Sequence, residues 1–300
     1  MHEQGGPFVG TEALAAGHLT RRELRSRFRQ VYRNVFVPNG CELTAASRAE
    51  AAWLWSGRTA TAAGLSAAAL HGARWLDPTH PAELYRRNGK PVDGIVIHRD
   101  ELWDDEICTT RGIAATTPAR TAFDLGRRNG LISAVTHLDA LARATNLKAV
   151  DIEALMPRHP GVRGLVQLRG VLRLMDGGAE SPPESRTRLL LVRAGLPTPE
   201  TQIVVVNDVG YPFARIDMGY RELKVGIEFD GAHHWTDPAQ RTADIDRYAE
   251  LDSLGWRIVR VSSDLLRYRP EVVMARVCVA LRDAGADWPV IARILGNFVT

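Results

Sequence analysis

Cysteine is scarce: Cys41, Cys108 and Cys278 are three in 300 residues, widely separated and odd in number. They form neither a disulfide framework nor a CxxC zinc pattern, which fits a reducing cytoplasm. The nine histidines contain no HxxxH pair, so structural zinc is not expected. No apolar run approaches the length that spans a bilayer, and the mean hydropathy is −0.16. The first residues lack a basic stretch followed by an apolar core, so no secretory signal is expected. Repeats and low-complexity tracts are also missing. What remains is an ordinary chain, 45% hydrophobic and 24% charged, with room for two or three small domains.

The net charge of +3 is modest, but its distribution is uneven. Residues 1–178 hold 23 Lys and Arg against 18 Asp and Glu, whereas residues 179–300 hold 15 against 17. The excess is nearly all arginine and is densest in "TRRELRSRFRQVYR". Arginine suits phosphate contacts, and a solvated helix face is the competing reading.

Residues 1–45 read as a helix-turn-helix unit with a β-wing. "TEALAAG" is a short helix, and "TRRELRSRF" opens on a capping box of Thr20 and Glu23. "QVYRNVFVPNG" is then one alternating strand. A helix carrying Arg21, Arg22, Arg25 and Arg29 beside a wing is a candidate DNA-binding unit, and protein docking is the alternative use. Residues 46–178 are expected to be mainly helical, with strands in "AELYRR" and "GIVIHRDEL" and a helix start at Thr117-Pro118. His71, His98, His137 and His159 are scattered there without a chemical pattern. The Gly-Gly and Pro-Pro of "DGGAESPPES" mark the main boundary. A domain at 179–288 follows, then a tail at 289–300.

In that domain the order α-β-β-β-α-β-α predicts a mixed sheet with helices on its faces. The stretch "RIDMGYRELKVGIEFDGAHHW" carries its chemistry. Alternation puts Ala214, Ile216 and Met218 on one face and Arg215 and Asp217 on the other. Val225, Ile227 and Phe229 share a face opposite Glu228 and Asp230. A hairpin turning between Glu222 and Leu223 sets Asp217 across from Glu228, about 5 Å away. Two carboxylates at that distance repel by roughly 3 kcal/mol at an effective dielectric of about 20. A fold tolerates this if one carboxylate takes up a proton, a basic partner sits alongside, or a cation binds. An all-oxygen ligand set suits Mg²⁺ or Mn²⁺. The alternative is a solvated sheet face with no function.

With Glu184 on the preceding helix, the pattern Asp-x10-Glu-x-Asp resembles the catalytic core of the PD-(D/E)XK nucleases. More narrowly, residues 180–284 look like the domain family related to very-short-patch-repair endonucleases. The matching residues are "SPPESRTR", Gly195, Gln202, "RIDM", "GIEFDGAHHW", and the spaced Asp244, Arg247, Leu251 and Gly255. The first 45 residues and "TTPARTAFDLG" are similar to the winged-helix regions of AbiEi-like antitoxin proteins. The two resemblances together imply an α+β multidomain protein: an N-terminal winged helix and helical region, and a C-terminal restriction-endonuclease-like core with a mixed sheet.

The nuclease resemblance implies metal-dependent hydrolysis of phosphodiester bonds in DNA, duplex, damaged or mismatched. Asp217, Glu228 and the Phe229 carbonyl would hold Mg²⁺ or Mn²⁺, with Glu184 reaching in directly or through water. One departure is plain: Asp230 stands where that superfamily has lysine. Asp230 is therefore expected as a further metal ligand, with His233 or His234 carrying a proton. Asp244 and Arg247, one helical turn apart, are as well suited to bracing the domain as to touching phosphate. Two other functions fit the same residues. One is a non-enzymatic, antitoxin-like DNA-binding regulator on a degenerate nuclease fold. The other is a toxin or phage-defence nuclease restrained by its own N-terminal half, which implies a protein partner for that region.

Overall fold

The computed structural model describes residues 5–87, 90, 92–230 and 238–296. Two compact units divide the chain, residues 1–177 and 178–300.

In the first unit, β1 (Phe8–Val9) leads into α1 (Gly10–Ala15) and α2 (Arg21–Arg27), then β2 (Phe28–Tyr32) and β3 (Val35–Pro38). The capping box forms as expected: Thr20 Oγ1 accepts from the Glu23 amide at 3.2 Å, and Glu23 Oε2 accepts from the Thr20 amide at 2.8 Å. The expected single strand over residues 30–40 is instead a hairpin. Asn34 adopts φ 62°, a conformation its short polar side chain tolerates, and this reverses the chain so that Tyr32 pairs with Val35. β3 lies between β1 and β2 in a three-stranded sheet. The expected helical placement of Arg29 is corrected too. Phe28 is extended and packs edge-on against Phe8, ending α2 and moving Arg29 onto β2.

The segment that follows contains α3 (Ala45–Trp55), β4 (Thr61–Ala62), α4 (Gly64–Leu70), β5 (Ala82–Tyr85), β6 (Ile95–His98), β7 (Ile107–Thr110), β8 (Ile113–Thr116), α5 (Pro118–Arg128), α6 (Leu131–Thr145), α7 (Ala149–Glu153) and α8 (Leu165–Leu172). Alongside its helices it carries a five-stranded sheet ordered β6-β5-β4-β8-β7. Its central strands are short and alanine-rich, with weak intrinsic β preference. They become strands because distant partners pair with them, as in the parallel match of Ala62 to Ala115. Tyr32 and Val35 share one core cluster with Ala49, Leu84 and Ala115, so a division at residue 45 does not separate two cores.

α5 starts at the Thr117 cap with Pro118 in its first turn. It then buries Arg120, which binds Glu106, Asp124 (3.0 Å), the Tyr85 hydroxyl (2.7 Å) and His159 (3.2 Å). Buried charges are tolerated only when paired and hydrogen-bonded in this way.

The second unit runs α9 (Pro182–Ala194), β9 (Glu200–Val206), β10 (Pro212–Tyr220), β11 (Val225–Asp230), α10 (Pro238–Ser253), β12 (Arg257–Ser262), α11 (Ser263–Tyr268), α12 (Pro270–Asp283) and α13 (Pro289–Gly296). Its sheet is mixed, ordered β12-β11-β10-β9, with only β11 and β12 parallel. A Cβ on Gly219 would sit 2.3 Å from the Val225 carbonyl oxygen, so the β10–β11 pair closes only around glycine there. Residues 289–296, expected as a tail, form α13, and Ile291 is buried in the cluster of Val273 and Leu281. The apolar residues at 290, 291, 294 and 295 recur at helical spacing and supply that face.

Candidate active site

The β10–β11 register pairs Met218 with Ile227, Gly219 with Gly226 and Tyr220 with Val225. This is the register a turn between Glu222 and Leu223 predicts, and it ends one residue short of the expected Asp217–Glu228 pair. There the ladder breaks off, and the Phe229 amide donates to Asp217 Oδ2 at 2.7 Å. On the other side of β10, pairing with β9 runs Ile216 to Ile203 and Met218 to Thr201, leaving out Asp217 and Gln202. Gln202 has φ 54°, an unusual conformation for a strand residue and one that costs energy.

The even alternation expected of β10 therefore fails at the acid. Ile216 joins the cluster of Leu251 and Trp256, whereas Met218 joins that of Leu191 and Val273. The backbone irregularity lets neighbouring apolar residues enter different cores while Asp217 sits between them.

Glu184 reaches the same place from α9. It is 6% exposed. Its carboxylate accepts from the Glu180 amide (2.9 Å), the Ser181 hydroxyl (2.8 Å) and Gln202 Nε2 (3.2 Å). Burial, together with the charges of Glu184, Glu228 and Glu180, pushes the Asp217 carboxyl up to about 7, against the opposing hydrogen bond from Phe229. Asp217 thus keeps its proton to a higher pH than an ordinary aspartate. Among the described residues it has no basic partner, and its Oδ1 accepts no hydrogen bond.

Glu228 is 7% exposed, which overturns the solvated-face reading for this residue. Arg247 Nη1 and Nη2 donate to its two oxygens at 2.8 and 3.1 Å, and the Tyr248 hydroxyl donates at 2.5 Å. Burial opposes the Arg247 charge, but the hydrogen bonds and charge of Glu228 outweigh it and raise the guanidinium pKa. Asp244 lies 3.7 Å from Arg247, a weaker contact on the same helix. Asp230 is turned to a different cation, accepting from Arg260 Nη2.

The structure thus brings Glu184, Asp217 and Glu228 into one electrostatic group, with Asp230 joined through Arg260. Among the described residues, no three His, Cys, Asp or Glu side chains converge closely enough to hold one ion together. His233 and His234 lie outside the described residues. Phe229 is paired with Val261 of β12. In the first unit, Arg21, Arg22, Arg25 and Arg29 are exposed, but Arg29 Nη2 is engaged by the Cys41 carbonyl at 2.8 Å. Sequence reasoning missed Glu180, Tyr248 and Arg260. Tyr248 adjoins the noted Arg247, and Glu180 stands one turn before Glu184. For Arg260, in "RIVRVS", only strand pairing reveals the neighbour.

Residues 199–281 match the family model REase_MTES_1575. This indicates a restriction-endonuclease-like domain at the C-terminus. The uncharacterized Mycobacterium tuberculosis proteins Rv2248 (strain H37Rv) and MT2308 (strain CDC 1551) are each 31% identical to the chain over 188 residues. The alignment covers 63% of this chain and 68% of each relative. The chain belongs to the family of these mycobacterial proteins. Within it, the restriction-endonuclease-like match takes in Asp217, Glu228, Asp230, Arg247 and Arg260, but starts after Glu184. No solved structure matches the chain.

Proposed function

We propose that the C-terminal unit is a PD-(D/E)XK-type nuclease that hydrolyses phosphodiester bonds in DNA with Mg²⁺ or Mn²⁺. The observation that carries this reading is Asp217: a carboxyl raised to about 7 by burial and three nearby acids, whose second oxygen accepts no hydrogen bond among the described residues. A divalent cation beside it would hold the carboxylate ionised and relieve the repulsion from Glu184 and Glu228. The donor set suits Mg²⁺, which keeps several waters and needs only one or two carboxylates. Asp217 and Glu228 would hold the ion, with Glu184 reaching it through water. The Glu228 oxygens have capacity left beyond the bonds from Arg247 and Tyr248.

When bound, such an ion offsets charge at a phosphate and lowers the pKa of water. The chain's own residues do the rest. Arg247 and Tyr248 hold Glu228 in one orientation, and the Phe229 amide does the same for Asp217. Glu184 is anchored by the Glu180 amide, the Ser181 hydroxyl and Gln202. The exposed Arg21, Arg22 and Arg25 of α2 supply phosphate contacts from an N-terminal winged-helix-like region. Its similarity to AbiEi-like antitoxins favours a repair, phage-defence or toxin–antitoxin setting, and a protein partner for that region.

The second reading, a non-enzymatic DNA-binding regulator, draws support from the same geometry. Arginines already neutralise both Glu228 and Asp230. The test is incubation of the purified full chain with duplex, single-stranded and mismatched DNA, with and without Mn²⁺. Cleavage that requires Mn²⁺ and is lost in Asp217→Asn supports the nuclease. Binding without cleavage under all conditions supports the regulator.

A further inference from the structure

Three arginines pair with acids around the candidate site, and they differ in what they have left to offer. Arg215 pairs with Glu180 at 3.0 Å. Arg247 spends both terminal nitrogens on Glu228, and its side chain is 26% exposed. Arg260 makes a single hydrogen bond among the described residues, to Asp230, and its side chain is 46% exposed. A guanidinium carries five N–H donors, so Arg260 keeps most of its donors available to a ligand.

Its position is fixed from two sides. In the parallel β11–β12 ladder Arg260 is the register partner of Glu228, one strand spacing away, about 4.8 Å between backbones. Its guanidinium lies 5.3 Å from the Tyr248 ring centroid, and Arg247 lies 4.4 Å from that ring. The Tyr248 hydroxyl in turn bonds Glu228. Arg260 therefore stands one side chain away from the carboxylate assigned to the ion, held against an aromatic ring and tethered at one edge by Asp230. An exposed ion pair of this kind contributes little to folding. It does orient a planar fork that matches the non-bridging oxygens of a phosphate.

We infer that Arg260 is the residue that grips the phosphodiester at this site, and that Asp230 is its positioning residue rather than a metal ligand. The inference rests on the proposed nuclease site for its setting. The contact is recognition only: two N–H groups of Arg260 donate to phosphate oxygens while Asp230 keeps the opposite edge. No bond is made or broken by Arg260. This gives Asp230 a reason to be acidic at a position where the resembling nucleases carry a cation.

The test uses the full chain with ¹⁵N-labelled arginine in EDTA. The Arg260 Nε–H signal is identified by its loss in Arg260→Ala, and thymidylyl-thymidine, the uridine dinucleotide and inorganic phosphate are titrated in turn. A saturable shift with the deoxy dinucleotide is expected, weakened in Asp230→Asn. In parallel, Mn²⁺-dependent cleavage at low substrate should fall by about 10–100-fold in Arg260→Ala, the range for losing a charged hydrogen bond. Arg260→Lys should recover part of that loss. Calorimetric Mn²⁺ binding should be unchanged in both variants, which a merely structural role would not preserve. If Arg260→Ala fails to fold, Arg260→Lys and Arg260→Gln carry the comparison.

An unmoved Arg260 signal, or full cleavage by Arg260→Ala, would overturn the assignment. So would an equal shift with inorganic phosphate at the same concentration. If the wild type shows the shift but cleaves nothing, the nuclease reading fails and the Arg260 contact stands.

Discussion

The Phe229 amide donates to Asp217 Oδ2 at 2.7 Å, tying the carboxyl on β10 to the backbone of the strand that carries Glu228. A half-buried acid held there by a backbone donor, yet raised to about 7 by its surroundings, is a site under electrostatic tension. Its consequences are measurable without any nucleic acid.

An ordinary aspartate titrates near 3.9 in an unfolded chain, and Asp217 titrates near 7 in the folded one. Between about pH 4 and pH 7 the folded state therefore binds more protons than the unfolded state, and this group makes stability fall as pH rises. Above about pH 7 the effect levels off. Metal-free thermal melts at pH 5, 6.5 and 8 should show this decline, and Asp217→Asn should remove most of it. Mn²⁺ should raise the Tm more at pH 8 than at pH 5, because binding to the folded state alone stabilises it. An Asn variant with the wild-type slope would assign the decline to another group.

Calorimetric titration should show Mn²⁺ binding that Asp217→Asn and Glu228→Gln each weaken severely. Equal binding by the wild type and the double variant would sink the metal-site idea.

Arg247→Ala should destabilise the second unit by about 2–4 kcal/mol, below the figure for a fully buried pair because the guanidinium is partly exposed. The cost comes from leaving the Glu228 charge buried and uncompensated. Adding Glu228→Gln to that variant should recover a good part of the loss in urea denaturation. A double variant as weak as Arg247→Ala would place the cost in poorer packing instead.

In the first unit, Arg120→Met should cost roughly 3–5 kcal/mol, since Glu106 and Asp124 lose the cation between them. Hydrogen exchange at the amides of α5 reads this directly. Protection equal to the wild type would mean that Arg127 and Arg128 compensate.

Substituting Arg21, Arg22 and Arg25 together by alanine should lower DNA affinity. It should also flatten the salt dependence by about one log–log unit for each phosphate no longer neutralised. Arg29→Ala should do less, because its guanidinium already serves the Cys41 carbonyl. A fragment of residues 179–300 that bound DNA with the full-length affinity and slope would contradict both expectations.

Sequence alone determined the features that depend on neighbours a few residues apart. The Thr20–Glu23 capping box, the Thr117 cap with Pro118, and the β10–β11 register that brings Asp217 and Glu228 onto neighbouring strands are of this kind. The last follows from a turn at residues 222–223, because hairpin register is set by turn position. Alternation misled at Met218 because a regular period assumes a regular ladder, and Asp217 and Gln202 step out of theirs. The alanine-rich strands of the first unit were hidden for a related reason: their pairing, not their composition, makes them strands. Only the tertiary structure decided how the acids are balanced. Glu228 meets Arg247 across 19 residues, and Asp230 meets Arg260 across 30. The second contact depends on β12 returning parallel to β11 after a helical crossover, a pairing between chain-distant strands that no local spacing encodes.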